Sequence, residues 1–135
     1  MSNHMANHIE ACNTCVVECR KCIDACKQTM QSCAAEKSAE SSCNVQVKVV
    51  EACAQACQKC IDACREHAKK CGDPECVKAC YDCIKACEEC LLACQKLSEN
   101  CAAGKEQCMQ ALKECIQLCN DCLEACDTCI EKSCC

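Results

Sequence analysis

Along most of this chain the non-polar positions recur in alternating steps of three and four, with charged and amide residues between them. That spacing puts side chains on one face of an α-helix. It runs through Cys12, Cys15, Cys19, Cys22 and Cys26, and again through Cys53, Cys57, Cys60 and Cys64. It returns from Cys76 through Cys80, Cys83, Cys87 and Cys90 to Cys94, and from Cys115 through Cys119, Cys122 and Cys126 to Cys129. Where a helical bundle normally carries leucine, these stretches carry cysteine. One segment recurs in each: CVVECRKCIDAC (15–26), CAQACQKCIDAC (53–64), CVKACYDCIKAC (76–87) and CIQLCNDCLEAC (115–126). Four copies of one helix template, in a chain too short for a solenoid, predict four helices.

The breaks agree with that number. Residues 36–42 are polar and serine-rich, and Gly104 is a later breaker. Between them, Gly72-Asp73-Pro74 reads as a C-terminal glycine, an N-cap and a first-turn proline. Helices are predicted near 5–34, 44–71, 74–102 and 105–132. Short connections favour antiparallel neighbours, so the expected fold is all-α, one domain over 1–135, an up-down-up-down four-helix bundle with a cysteine-lined core.

With the cysteines at heptad positions a and d, two flanking stripes appear. Aliphatic residues follow d: Val16, Ile23, Ile61, Val77, Ile84, Leu91, Ile116, Leu123 and Ile130. Mostly small residues precede a: Ala11, Ala25, Ala56, Ala63, Ala79, Ala86, Ala93, Ala111 and Ala125. Such flanks let helices approach closely while sulfur faces inward. Leu92 lies off this face and marks a candidate subunit contact.

Composition sharpens the picture. Cysteine fills 27 of 135 positions, the one aromatic is Tyr81, and Leu, Ile and Val together number 19. An apo core built mainly of Cys and Ala is thin, so bound metal is expected to add much of the stability. The net charge of −5 offers no phosphate footprint and argues against nucleic acid. No apolar run approaches membrane-spanning length, and the start, MSNHMANHIE, lacks the regions of a secretory signal. The expected location is therefore cytoplasmic, where thiols stay reduced. An odd cysteine count also fits a fully paired disulfide framework poorly.

A single buried cysteine is usually a small hydrophobe. Twenty-five in heptad register are better read as ligands, because alanine or valine would pack as well without the oxidation hazard. Thiolates are soft donors suited to Cu(I), Zn(II) and iron–sulfur clusters. Iron–sulfur and zinc motifs normally sit in loops and knuckles, whereas these spacings run through helices. A four-thiolate zinc site carries −2, so six of them would bury about −12. One Cu(I) per thiolate gives a neutral core, and Cu(I) accepts two or three sulfurs, which i, i+3 and i, i+4 rows supply. Many Cu(I) ions per chain are therefore expected. The candidate ligands include the seams above together with Cys33, Cys43, Cys71, Cys101 and Cys108. Met5 and His8 extend the first seam, and His67 sits in register between Cys64 and Cys71. In an antiparallel bundle these three fall at one end with Cys71, Cys76 and the terminal Cys134-Cys135, a candidate loading end. The opposite end, with Met30, Cys33, Cys43, Cys101, Cys108 and Met109, is a second candidate.

The repeated C-x3-C-x2-C-x3-C seams, the polar start and the Met/His end resemble the bacterial copper storage proteins, in their cytosolic branch. The similarity spans essentially the whole chain. It implies a non-enzymatic Cu(I) store, core cysteines as ligands, homotetramers of bundles, and an open end with His or Met as the doorway; delivery by a copper chaperone is compatible with it. The chain departs in its unusually many cysteines, its lack of Phe and its Cys134-Cys135 tail, which leave capacity and tetramer contacts open. Competing readings are a metallothionein-like Zn(II)/Cd(II) buffer, a CxxC thiol oxidoreductase and a disulfide-stapled bundle. Redox CxxC motifs sit at helix N-termini, where the dipole lowers a thiol pKa, and these do not. No acid/base pair, nucleophile dyad or phosphate loop is visible.

Overall fold

A computed structural model describes residues 3–35 and 46–134. It is all-helical: α1 (Asn3–Ala35), α2 (Val47–Lys70), α3 (Pro74–Ala102) and α4 (Lys105–Lys132), with no strand among the described residues. Each helix packs on its chain neighbours, and α1 closes the ring against α4, while the backbones of the diagonal pairs stay apart. The predicted four-helix bundle is therefore the observed one.

Local chemistry sets the boundaries. The Asp73 carboxylate accepts from the backbone N–H of Glu75 at 2.8 Å and of Cys76 at 3.2 Å, and Pro74 opens α3 where no N–H is needed. Those bonds hold the Asp73 carboxyl below its ordinary value, Cys76 contributing most and Glu75 next. Two expectations need correction. The second helix begins at Val47 rather than near residue 44, with Gln46 at its N-cap. Gly72 is not a left-handed terminator: α2 ends at Cys71, whose backbone is extended and whose N–H bonds the His67 carbonyl at 2.9 Å. Among the described glycines only Gly104 has a positive φ, 139°, and it forms the N-cap of α4 where a side chain would be strained.

The seams turn inward as the pattern requires, with the heptad cysteines buried along all four helices. The aliphatic flank closes the joints between helices. Val16, Ile23, Ile61 and Ile84 are buried, and Val77, Leu91, Ile116, Leu123 and Ile130 are half-buried against the core. Alanine on the other flank leaves room for sulfur to meet sulfur at the centre. Leu92 and Tyr81 stay more than half exposed. Acidic residues occupy the outer faces: Asp82 pairs with Lys78 one turn away, and Asp62 accepts from Gln58. Pairs this exposed add a few tenths of a kcal/mol at most.

Candidate metal centre

Three consecutive layers of the bundle take one thiol from each helix. In the first, Cys12 and Cys60 are 3.7 Å apart, Cys60 and Cys83 3.7 Å, and Cys83 and Cys126 3.6 Å. In the second, Cys15 lies 3.9 Å from Cys57 and 3.6 Å from Cys122, which is 3.5 Å from Cys87. In the third, Cys19–Cys53 is 3.8 Å and Cys90–Cys119 3.5 Å. The layers are also joined along the bundle axis, through Cys83–Cys87 at 4.0 Å and Cys15–Cys19 at 3.9 Å, and Cys60–Cys64 at 3.9 Å carries the column past the first layer. None of these sulfurs touches solvent. The result is a continuous column of thiols.

Its members can be grouped in more than one way. Cys15, Cys19, Cys57 and Cys122 hold their sulfurs within 4.8 Å of one another, and so do Cys15, Cys87, Cys122 and Cys126. The second set joins α1 to α3 across a diagonal that the backbones leave open. Shared membership means that an ion in one group would have vacant sulfur beside it. These clusters can hold metal ions.

At one end the column continues with other donors. His8 Nε2 is 2.9 Å from Cys129 Sγ and 3.8 Å from Cys80 Sγ, and His8, Cys12, Cys64 and Cys129 form another compact group. His67 Nε2 is 3.3 Å from Cys76 Sγ, and the two imidazoles stack with centroids 4.4 Å apart. Ser133 fixes the orientation of His8. Its hydroxyl donates to the Cys129 carbonyl at 3.0 Å, so its single hydrogen is spent, and at 3.0 Å from His8 Nδ1 the oxygen accepts. A neutral His8 thus carries its proton on Nδ1 and turns the Nε2 lone pair toward the thiols. A hydrogen bond to the far ring nitrogen is how a metal-ligating histidine is usually held. Met5 is half-buried, while His8 and His67 are fully buried. Cys71 and Cys134 lie outermost, 3.8 Å apart.

At the other end the seam loses its donors. Cys22 and Cys115 are 4.0 Å apart, with buried Cys94 and Val50 in the same layer by register. One layer further, Cys26 shares its level with Leu97 and Leu112, both fully buried. Beyond them lie Cys101 and Cys108, which share a hydrogen bond, and Met30 and Met109, half-buried. Cys33 requires a correction. It is buried but held in a disulfide, so as it stands it is not the thiolate ligand expected of it. Every other described cysteine is a thiol. Cys43 and Cys135, also named as candidates, lie outside the described residues.

Neighbouring sulfurs push individual thiols in opposite directions, according to which partner of each hydrogen bond keeps the proton. Cys60 is pulled down to about 6, first by the Cys12 thiol and then by Cys126, which together outweigh its burial. Cys101 goes the other way, to about 12, because burial dominates and Cys108 then adds to it. Cys87 is also pushed up, by Cys122 first and Cys126 next.

Sequence reasoning missed Ser133 and the Leu97–Leu112 layer. Both were signalled. Ser133 lies four residues past Cys129, and Leu97 sits three past Cys94 and four before Cys101.

No family model matches the chain, and neither does any curated protein or solved structure. Among the described residues, no helix is long and apolar enough to cross a membrane.

Proposed function

We propose that this chain stores and buffers Cu(I), many ions at a time, on the thiolates of its core. The observation that supports this most is the sharing of ligands: sulfurs 3.5–4.0 Å apart run through successive layers without a break. A soft ion satisfied by two or three sulfurs can occupy such a column at many points and move between them by exchanging one ligand at a time. One Cu(I) per thiolate leaves the dry core neutral.

A zinc reading has one specific observation in its favour. Zn–S bonds of about 2.3 Å set tetrahedral edges of roughly 3.8 Å, close to the spacing within a layer. Filling the three four-thiol layers in that way would bury about −6 within a few layers of one another, and that charge weighs against it.

In this reading the chain is not an enzyme. It works in the cytoplasm, neither nucleic acid nor membrane is a partner, and copper arrives from a copper chaperone at the end marked by Met5, His8 and His67. The bundles associate as homotetramers, with the exposed Leu92 on α3 a candidate contact. Anaerobic titration of the reduced chain with Cu(I) against a competing chelator tests the core claim. Saturation near one ion per thiol is expected. Saturation near one ion per four thiols, with Zn(II) competing effectively, would replace copper by zinc.

A further inference from the structure

The histidines at the loading end cannot be the first groups a delivered ion meets. His8 and His67 have no exposed surface, and Cys76, Cys80 and Cys129 have at most 1%. Cu(I) held by a donor's sulfurs is passed on by ligand exchange, which needs an acceptor that the donor can approach. Among the described residues, the soft groups at this end with exposed surface are Met5, Cys134 and, at 8%, Cys71. Met5 offers one neutral thioether, too weak alone to displace a thiolate. Cys71 and Cys134 offer two thiols 3.8 Å apart, the Cys71 thiol also donating to the Cys134 carbonyl at 3.7 Å. Two thiolates so close are what a two-coordinate Cu(I) requires.

We infer that Cys71 and Cys134 form a surface dithiol site where incoming Cu(I) first lands, separate from the sites of the column. The inference rests on the copper reading above. The backbone of each of these cysteines adjoins a residue of the imidazole layer. The Cys71 N–H bonds the His67 carbonyl, and Cys134 directly follows Ser133, whose hydroxyl bonds His8. An ion on this pair is therefore held by residues one backbone step from those that position His67 and His8, which in turn meet Cys76 and Cys129. Transfer balances without redox chemistry. Two Cu–S bonds to the donor break as two form to Cys71 and Cys134, and the protons these thiols release go to the freed donor thiolates.

The test is anaerobic stopped-flow uptake from Cu(I)–glutathione by the full chain and by Cys71→Ser and Cys134→Ser, with helix content checked by circular dichroism. Initial uptake should slow about tenfold or more in either variant, while final capacity falls by no more than the one ion this pair holds. Rates within about twofold of the parent at full capacity would overturn the landing site and leave the storage reading standing. A parent chain that takes up one ion, lost in both variants, would do the reverse. On the unaltered chain, one equivalent of Cu(I)–glutathione should suppress iodoacetamide labelling of Cys71 and Cys134 at the earliest times, and undiminished labelling would equally overturn the site.

Discussion

The two ends of the thiol column occupy equivalent heptad positions and are built from opposite chemistry. At one, the seam runs on as His8, His67 and Ser133, groups with lone pairs and hydrogens to place. At the other it runs on as Val50, Leu97 and Leu112, which place only methyl groups. Burial is the same at both, since the histidines and both leucines have no exposed surface. The periodicity therefore decides which residues go inside, and the residue type decides whether a layer offers donors or closes the column. Cys101 and Cys108 lie beyond the leucine layer, at the end of the bundle that also holds Met30, Cys33 and Met109.

The largest effect should come from breaking that hydrocarbon layer. Leu112→Ala should lower the stability of the metal-free chain by about 2–5 kcal/mol, because it opens a cavity in a core with few large side chains. Cys19→Ala, equally buried in the column, should cost about 1 kcal/mol. Urea unfolding of the apo protein measures both. Equal losses would mean that the leucine layer has no special part in holding the apo fold.

The donor end should govern rate where the leucine end governs stability. His8→Gln and His67→Ala are expected to slow Cu(I) loading about tenfold without changing final capacity. Cys101→Ser at the opposite end should lower capacity slightly and leave the loading rate alone. If Cys101→Ser proved the slower loader, the two ends would have to exchange roles. Ser133→Ala acts only through His8 and should slow loading less, by a few-fold. Its specific mark is in the apo protein, where the ¹⁵N shifts of His8 should show loss of the Nδ1–H tautomer, with Thr at 133 restoring it.

Much of this was legible in the chain because sulfur was written at the helical period. The 3–4 spacing gave the four helices and the inward face, and Asp73-Pro74 gave the start of α3 to the residue. The His8–His67 juxtaposition followed from antiparallel packing alone. What escaped was whatever depends on atoms meeting across helices. The Ser133 hydroxyl becomes informative only when His8, 125 residues away, is found beside it. Leu97 and Leu112 were in register all along, but as ordinary core residues among cysteines they drew no attention. Gly72 misled because glycine before Asp-Pro resembles a left-handed cap, whereas the extended Cys71 had already ended the helix.

The smallest expected signal compares a thiol inside the column with one beyond it. Cys60, with sulfur neighbours on every side, ionises near 6, and Cys101 near 12. Because the folded-state value of Cys60 lies below that of an unfolded thiol, its contribution to stability is present above the ordinary thiol range and lost as pH falls through about 6. For Cys101 the sign reverses, and stability present below the ordinary range is lost as pH rises through about 12. Thiolate absorbance of the apo chain should therefore show a step near pH 6, shared by Cys60 and Cys129, that Cys60→Ser diminishes and Cys101→Ser leaves intact. A chain with no thiolate until the ordinary range would show that the packed sulfurs do not share protons, and the acidity of column and outlying thiols would then be set by burial alone.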